Sequence, residues 1–334
     1  MHVVRQEPQL GTGHAVMQAM PVLPDDGLVV VLSGDVPLIT AATLSRLVQA
    51  CQGESLALLT VCPADPTGYG RVVRNDSGQV QAIVEQKDAN EAQLAIGEVY
   101  SGIMAAPTRL LRAWLARLDN RNAQAEYYLT DVVAKAVADG VPVQAILCDD
   151  LAQVAGVNSP AQLAELERIH QRRQAEQLMA QGVRLLDPSR FDLRGELTCA
   201  ADVQIDVNCV FAGRVVLGEG VQIGAHCVLS DCQIEAGAQI LPFTHIDGEA
   251  LGVKVGAGAR IGPYARLRPG SDLGPDVHIG NFVEVKNSRM GAGSKANHLA
   301  YVGDTEIGRD VNYGAGSITA NYDGANKHTT VIED

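Results

Sequence analysis

From Ile205 onward a large apolar residue returns at every sixth position: Ile205, Phe211, Leu217, Ile223 and Leu229. The phase slips by one and resumes at Ile234, Ile240 and Ile246. After the stretch Asp247 to Gly252 it returns at Val255, Ile261, Leu267, Leu273, Ile279 and Val285. Glycine often follows, as at Gly218, Gly224, Gly256, Gly262, Gly274 and Gly280. A period of six is neither the 3.6 of an α-helix nor the 2 of an ordinary strand. It is the mark of hexapeptide repeats, in which six residues form one flat side of a triangular parallel β-helix. The repeated residue points inward and stacks on its counterpart one coil away. A glycine-rich disordered tail would not space Ile, Leu and Val so regularly.

The first half has a different grammar. Residues 1–182 hold 13 of the 34 glycines. Apolar runs at 27–33, 56–62, 80–84 and 141–147 read as strands, and 41–50, 109–118 and 128–139 read as helices. Strands alternating with helices predict a mostly parallel α/β sheet. Ser159 is a candidate N-cap and Pro160 a candidate first helical residue. The 21 residues that follow, closed by Gly182, read as a connecting helix. The expected domains are 1–159, a linker helix 160–182, and a β-helix 183–334.

Charge and composition exclude some functions. Lys plus Arg is 26 against 39 Asp plus Glu, a net charge of −13 with no basic block, so nucleic acid is not an expected partner. No stretch nears the ~20 apolar residues of a membrane helix, so no membrane is expected either. Seven cysteines without CxxC spacing suggest reduced thiols and a cytoplasmic setting.

Several first-half segments carry candidate chemistry. Gln9 to Ala15 (QLGTGHA) is a glycine-rich turn that either approaches a base or phosphate or simply turns. Asp35 follows a hydrophobic strand, where α/β sheets bind ligands. It could hold Mg²⁺, which takes one or two protein oxygens and fills the rest with water and phosphate, or it could cap a loop. Asn158, expected at the end of a second short strand, would complete a two-ligand Mg²⁺ site on neighbouring strands. Glu85 and Lys87 could contact a sugar and a phosphate, or be surface charges.

These segments together resemble a known family. LGTGHA, GDVPL, YGR with IVEQKDA, and GVN resemble sugar-nucleotide pyrophosphorylases of the N-acetylglucosamine type. LRPG (267–270), GNFVEVKNS, GSKANHLAYVGD and VNYGAGSITANYDGANKH resemble the acetyltransferase half of the same enzymes. The resemblance spans nearly the whole chain, in the right order. It implies a bifunctional UDP-N-acetylglucosamine pyrophosphorylase/glucosamine-1-phosphate N-acetyltransferase. The implied fold is a Rossmann-like mixed-sheet nucleotidyltransferase joined by a long helix to a left-handed β-helix. The implied substrates are small molecules (UTP, sugar phosphates and acetyl-CoA), with Mg²⁺ as cofactor and a homotrimer as the assembly.

The resemblance also implies roles. Gln6, Gly11 and Thr12 would sit at the uracil, Ser33, Gly34 and Asp35 at the nucleotide, and Gly70 and Glu85 at the sugar. Asp35 and Asn158 would hold Mg²⁺. His298 would be the general base of acetyl transfer. Arg268 and Lys286 would clamp the sugar phosphate, Tyr301 and Asn312 would touch the sugar, and Ala315, Asn321 and Tyr322 would lie near acetyl-CoA. Because Arg268 and Lys286 are 18 residues apart, one expected coil, the pair should stack. His298, Arg268, Lys286, Tyr301 and Asn312 are expected on one face.

Three departures stand out. The resembling enzymes open with a strand and a phosphate-wrapping loop before the first residue here, and they continue past Asp334. The chain is therefore expected to be a fragment with negligible uridylyl transfer. Tyr100 stands where the resembling enzymes usually carry a sugar-contacting Asn.

Overall fold

The computed structural model describes residues 2–334. The chain folds into two compact units, one through Leu166 and one from Glu167.

In the first unit six strands form one sheet: β1 (Leu28–Val31), β2 (Leu56–Val61), β3 (Arg71–Arg74), β4 (Val80–Val84), β5 (Val99–Pro107) and β6 (Val143–Leu147). Their order is β4-β3-β5-β2-β6, with β1 also on β5. The expected mostly parallel sheet is corrected here, since only β2–β6 is parallel and every other pairing is antiparallel. The reason is β5, a central strand that hydropathy did not mark. Its sequence VYSGIMAAP is rich in small residues and broken by Gly102. The uninterrupted run LALLTV of β2 is buried on both sides. Leu56 and Leu58 join a core with Met104, Trp114 and Val132, while Ala57 and Leu59 face Leu47, Ile103 and Val154 on the other side. This is how a strand covered on both faces reads in sequence.

The long helix spans Pro160–Ala180. Ser159 Oγ accepts from the Gln162 N–H at 3.2 Å, as its N-cap position requires. Gly182 ends the helix at φ 96°, and the Val183 N–H reaches back to the Leu178 carbonyl at 3.1 Å.

The second unit is a parallel β-solenoid in which every strand pairing is parallel. The hexad residues form three inward columns. One is Ile205, Ile223, Ile240, Ile261, Ile279 and Ala296. The second is Leu193, Phe211, Leu229, Ile246, Leu267, Val285 and Val302. The third runs from Leu217 through Ile234, Val255, Leu273, Met290 and Ile307. All three belong to one buried cluster. The phase slip has a local cause. The corner formed by Gly213 and Arg214 in one coil is taken by Asp231 alone in the next, at φ 46°. The Asp231 carboxylate accepts the Arg214 N–H at 3.0 Å.

One corner carries a column that no hexad rule picks out. His226, Phe243, Tyr264, Phe282 and Leu299 all have positive φ, a costly conformation for bulky side chains. The rings of His226, Phe243, Tyr264 and Phe282 stack in succession at centroid distances of 4.8, 4.9 and 5.4 Å, and Phe243, Tyr264, Phe282 and Leu299 are exposed.

The solenoid core makes a prediction about thiols. Burial raises Cys209 to about 11, and Cys227 and Cys232 to about 12. At pH 8 the thiolate fraction at about 12 is of order one in ten thousand. Cys62 is the exposed cysteine. Native protein at pH 8 should therefore react with a thiol reagent rapidly at Cys62 alone, and at all seven after denaturation. Rapid native labelling of Cys209, Cys227 or Cys232, read by peptide mass spectrometry, would contradict the packing.

Candidate functional site

A cleft of about 690 Å³ opens in the first unit. Its walls include Thr12, Ser33, Gly70, Glu85, Tyr100 and Thr130. Gly11 enters the turn at φ 103°, and a Cβ there would lie 2.8 Å from the Tyr127 carbonyl, so only glycine fits. The Gly13 N–H donates to that carbonyl at 2.8 Å, and Thr12 Oγ1 accepts from the Leu129 N–H at 3.1 Å. Gln6 donates to the Gly11 carbonyl at 2.9 Å. Gln6, Gly11 and Thr12 are thus one local unit docked on residues 127–129.

The floor of the cleft gathers Gly70, Glu85 and Tyr100. A Cβ on Gly70 would meet Ile83 and lie 3.6 Å from the Glu85 carboxylate. Thr130 Oγ1 donates to Glu85 Oε1 at 2.9 Å, which orients that carboxylate. The Tyr100 N–H donates to the Gly70 carbonyl at 2.9 Å. Tyr100 is 7% exposed, and its hydroxyl has no protein partner. Burial and the charge of Glu85 hold the phenol far above its ordinary range, so it stays a neutral donor. The hydroxyl is thus a buried donor without a protein acceptor, on a residue that lines the cleft.

Asp35 and Asn158 converge on Gly156. A Cβ there would lie 2.9 Å from Asp35 Oδ2 and 3.8 Å from Asn158 Nδ2. The Val157 N–H donates to the Asp35 carbonyl at 2.9 Å, tying the two segments together. Two expectations need correction. Asn158 does not end a strand but follows the short 3₁₀ turn Leu151–Val154, since the Val154–Val157 stretch has no strand partner. Nor are the supporting strands neighbours, because β1 pairs with β5 and β6 with β2. Ser33 faces Gly102, whose Cβ would sit 3.0 Å from Ser33 Oγ, and Gly34 has open space above it.

In the second unit Leu267 and Val285 are in register, and the Arg268 N–H donates to the Val285 carbonyl at 2.8 Å. Arg268 and Lys286 therefore follow adjacent rungs of one column. Arg268 is held by Glu284 at 2.9 Å. Glu284 pairs in turn with Tyr301, and Lys286 with Gly303. His298 sits elsewhere. It ends the strand Lys295–His298, in register with Asn281, and Asn312 pairs with Lys295 on that same side. The expected convergence on one face is thus corrected: His298 and Asn312 lie on one side of the coil, and Arg268, Lys286 and Tyr301 on the next. The positive-φ corner at Leu299 separates them.

Asn281 Oδ1 lies 2.9 Å from His298 Nδ1. With the amide oxygen as acceptor, Nδ1 carries the proton and Nε2 keeps its lone pair. Asn321 and Tyr322 begin a hairpin. The Tyr322–Lys327 bridge closes it, and Asn321 Nδ2 donates to Asp304 Oδ2 at 2.7 Å. Ala315 and Tyr322 are exposed. Sequence reasoning missed Thr130, Asn281, Glu284 and Asp304. Asn281 and Asp304 lie 17 and 18 residues from His298 and Lys286, so the coil period could have found them.

A Rossmann-like sheet with a ligand cleft and a hexapeptide solenoid bearing a histidine define a two-part transferase. Residues 1–151 match the nucleotidyl transferase family, and residues 252–287 match the bacterial transferase hexapeptide family of six repeats. The bifunctional protein GlmU of Acidovorax sp. (strain JS42) is 69% identical, over 99% of this chain and 71% of its own length. That of Polaromonas naphthalenivorans (strain CJ2) is 70% identical over 99% and 70%, and that of Ralstonia pickettii (strain 12J) 61% over 98% and 71%. The chain belongs to the GlmU family. It is a bifunctional uridylyltransferase and acetyltransferase that produces UDP-N-acetylglucosamine, a precursor for cell-wall and lipid A synthesis.

Replacing Tyr100 by Phe separates binding from stability. The orphaned hydroxyl contributes no protein hydrogen bond, so Tyr100→Phe should leave stability unchanged or raise it by about 1 kcal/mol. In the full-length protein the KM for the sugar phosphate in uridylyl transfer should rise about fivefold to twentyfold, the worth of one hydrogen bond to a ligand. A clear fall in melting temperature with unchanged KM would contradict this placement.

Proposed function

We propose that the cleft of the first unit carries uridylyl transfer and that the solenoid residues around His298 carry acetyl transfer. Acetyl transfer comes first: His298 Nε2 takes a proton from the amine of glucosamine 1-phosphate as it attacks the thioester carbonyl of acetyl-CoA. Coenzyme A leaves as the thiol. Arg268 and Lys286 hold the sugar phosphate, the first as a planar fork and the second as a point charge. Tyr301 and Asn312 contact the sugar, and Ala315, Asn321 and Tyr322 contact acetyl-CoA. The observation that carries this reading is His298 itself, with Nδ1 committed to Asn281 and Nε2 left free.

In the second reaction the sugar phosphate attacks the α-phosphorus of UTP and pyrophosphate leaves. Gln6, Gly11 and Thr12 receive the uracil, Ser33 and Gly34 the nucleotide, and Gly70, Glu85 and Tyr100 the sugar. Asp35 offers a carboxylate beside Gly156, and the Asn158 amide lies next to it with Nδ2 nearest; among the described residues neither side chain has a protein partner, so the amide is free to turn its oxygen toward an ion. A carboxylate and an amide oxygen are hard donors of the kind Mg²⁺ takes. When bound there, the ion would neutralise phosphate charge.

The same reading takes residues 1–159, 160–182 and 183–334 as pyrophosphorylase, linker helix and acetyltransferase. It also makes the protein a cytoplasmic homotrimer. Supporting the oligomer is the exposed apolar corner column from Phe243 to Leu299, larger than the scattered apolar residues of ordinary surfaces. Among the described residues no helix is long and apolar enough to cross a membrane.

Two variants of the full-length protein test the division of labour. His298→Ala should lower acetyl transfer by about 10²–10⁴, the usual worth of a general base, with uridylyl transfer within twofold of normal. Asp35→Asn should do the reverse and raise the Mg²⁺ concentration needed for half-maximal uridylyl transfer. Equal loss of both activities in either variant would defeat the assignment.

A further inference from the structure

Asp304 stands at a corner of the solenoid, at φ 49°, between Gly303, which pairs with Lys286, and the next side of the coil. Its two carboxylate oxygens are divided between two amides. Oδ1 accepts from Asn287 Nδ2 at 2.6 Å, and Oδ2 accepts from Asn321 Nδ2 at 2.7 Å. Its backbone is engaged as well: its N–H donates to the Lys286 carbonyl at 3.0 Å, and its carbonyl accepts from the Thr330 N–H at 3.1 Å. Asp304 thus ties three successive coils, one of which carries the proposed phosphate cation and one the proposed acetyl-CoA contact.

The chemistry of the acceptor matters. An ionised carboxylate only accepts, so both amides must turn their NH₂ groups toward it. Each amide oxygen is then directed away, and Asn321 presents Oδ1 as an acceptor in a fixed orientation. The hydrogen bonds from Asn287 and Asn321, helped by Lys286 and Lys327, hold the carboxyl below its ordinary range, against the opposing effect of burial. It is therefore ionised throughout the neutral range.

We propose that Asp304 is a positioning residue for acetyl transfer: it fixes the amide orientation of Asn321 and thereby the acetyl-CoA contact. This rests on reading the surface around Arg268, Lys286 and Asn321 as the acetyl-transfer site. The plainer role, filling a left-handed corner within an Asn–Asp–Asn ladder, would be met equally well by asparagine, which tolerates the same backbone conformation.

The test is Asp304→Asn in the full-length protein, followed by steady-state acetyl transfer. An asparagine keeps shape and backbone but lets the neighbouring amides flip. The KM for acetyl-CoA should rise tenfold or more, with kcat within threefold and uridylyl transfer unchanged. In an Asn321→Ala background, the same substitution should change the KM less than twofold further. An unchanged KM in the single variant, or independent effects in the double variant, would overturn the proposal. If Asp304→Asn does not fold, Asn321→Asp sets a second carboxylate against Asp304. Its KM for acetyl-CoA at pH 8 should exceed that of Asn321→Ala, and equality would overturn the proposal. His298→Ala, assayed alongside, separates the two ideas. Retained acetyl transfer there would remove the site reading, while the coupling between Asp304 and Asn321 would still decide the positioning role.

Discussion

The second unit depends on one interaction, the stacking of inward aliphatic side chains on their counterparts one coil away. Every coil contributes to three columns, and Ile261, Leu267 and Val255 in the middle of them are fully buried. No single strand of two or three residues could hold itself. Parallel pairing fixes neighbouring strands about 4.8 Å apart, so the columns turn a sequence separation of 17 or 18 residues into direct adjacency. Arg268 beside Lys286, Asn281 against His298, and Asn287, Asp304 and Asn321 in one line all follow from that conversion. The chemistry lies on the outside of the coil, and its register is set inside.

Much of this was legible in the sequence. The hexad residues are the buried columns, and the one-residue phase slip is the shortened corner at Asp231. What the period could not give was the side on which an outward residue falls. His298 and Tyr301 were expected on one face, yet the Leu299 corner turns the chain between them. The stacked corner of His226, Phe243, Tyr264 and Phe282 was also hidden. Its spacing follows whole coils rather than hexads, and its positive φ values run against the ordinary preference of aromatic residues.

The first unit was less legible, for a different reason. Its strands β2 and β4 announce themselves by apolar runs or alternation, but β5 does not, and β5 organises the sheet. Its small residues permit the close antiparallel packing that hydropathy overlooks. The candidate metal pair could be suspected from residue type, but only the tertiary fold brings Asn158 to Asp35 over Gly156. The Thr130 contact to Glu85 likewise joins residues 45 apart that no periodicity relates.

If coil register is what assembles the acetyl-transfer residues, displacing it by a single residue should be decisive. One alanine inserted between His278 and Ile279, inside a strand rather than at a corner, would turn the following inward residue outward. Acetyl transfer in the full-length protein should be lost, with uridylyl transfer kept. Acetyl transfer near the normal rate in that insertion variant would contradict that dependence on register.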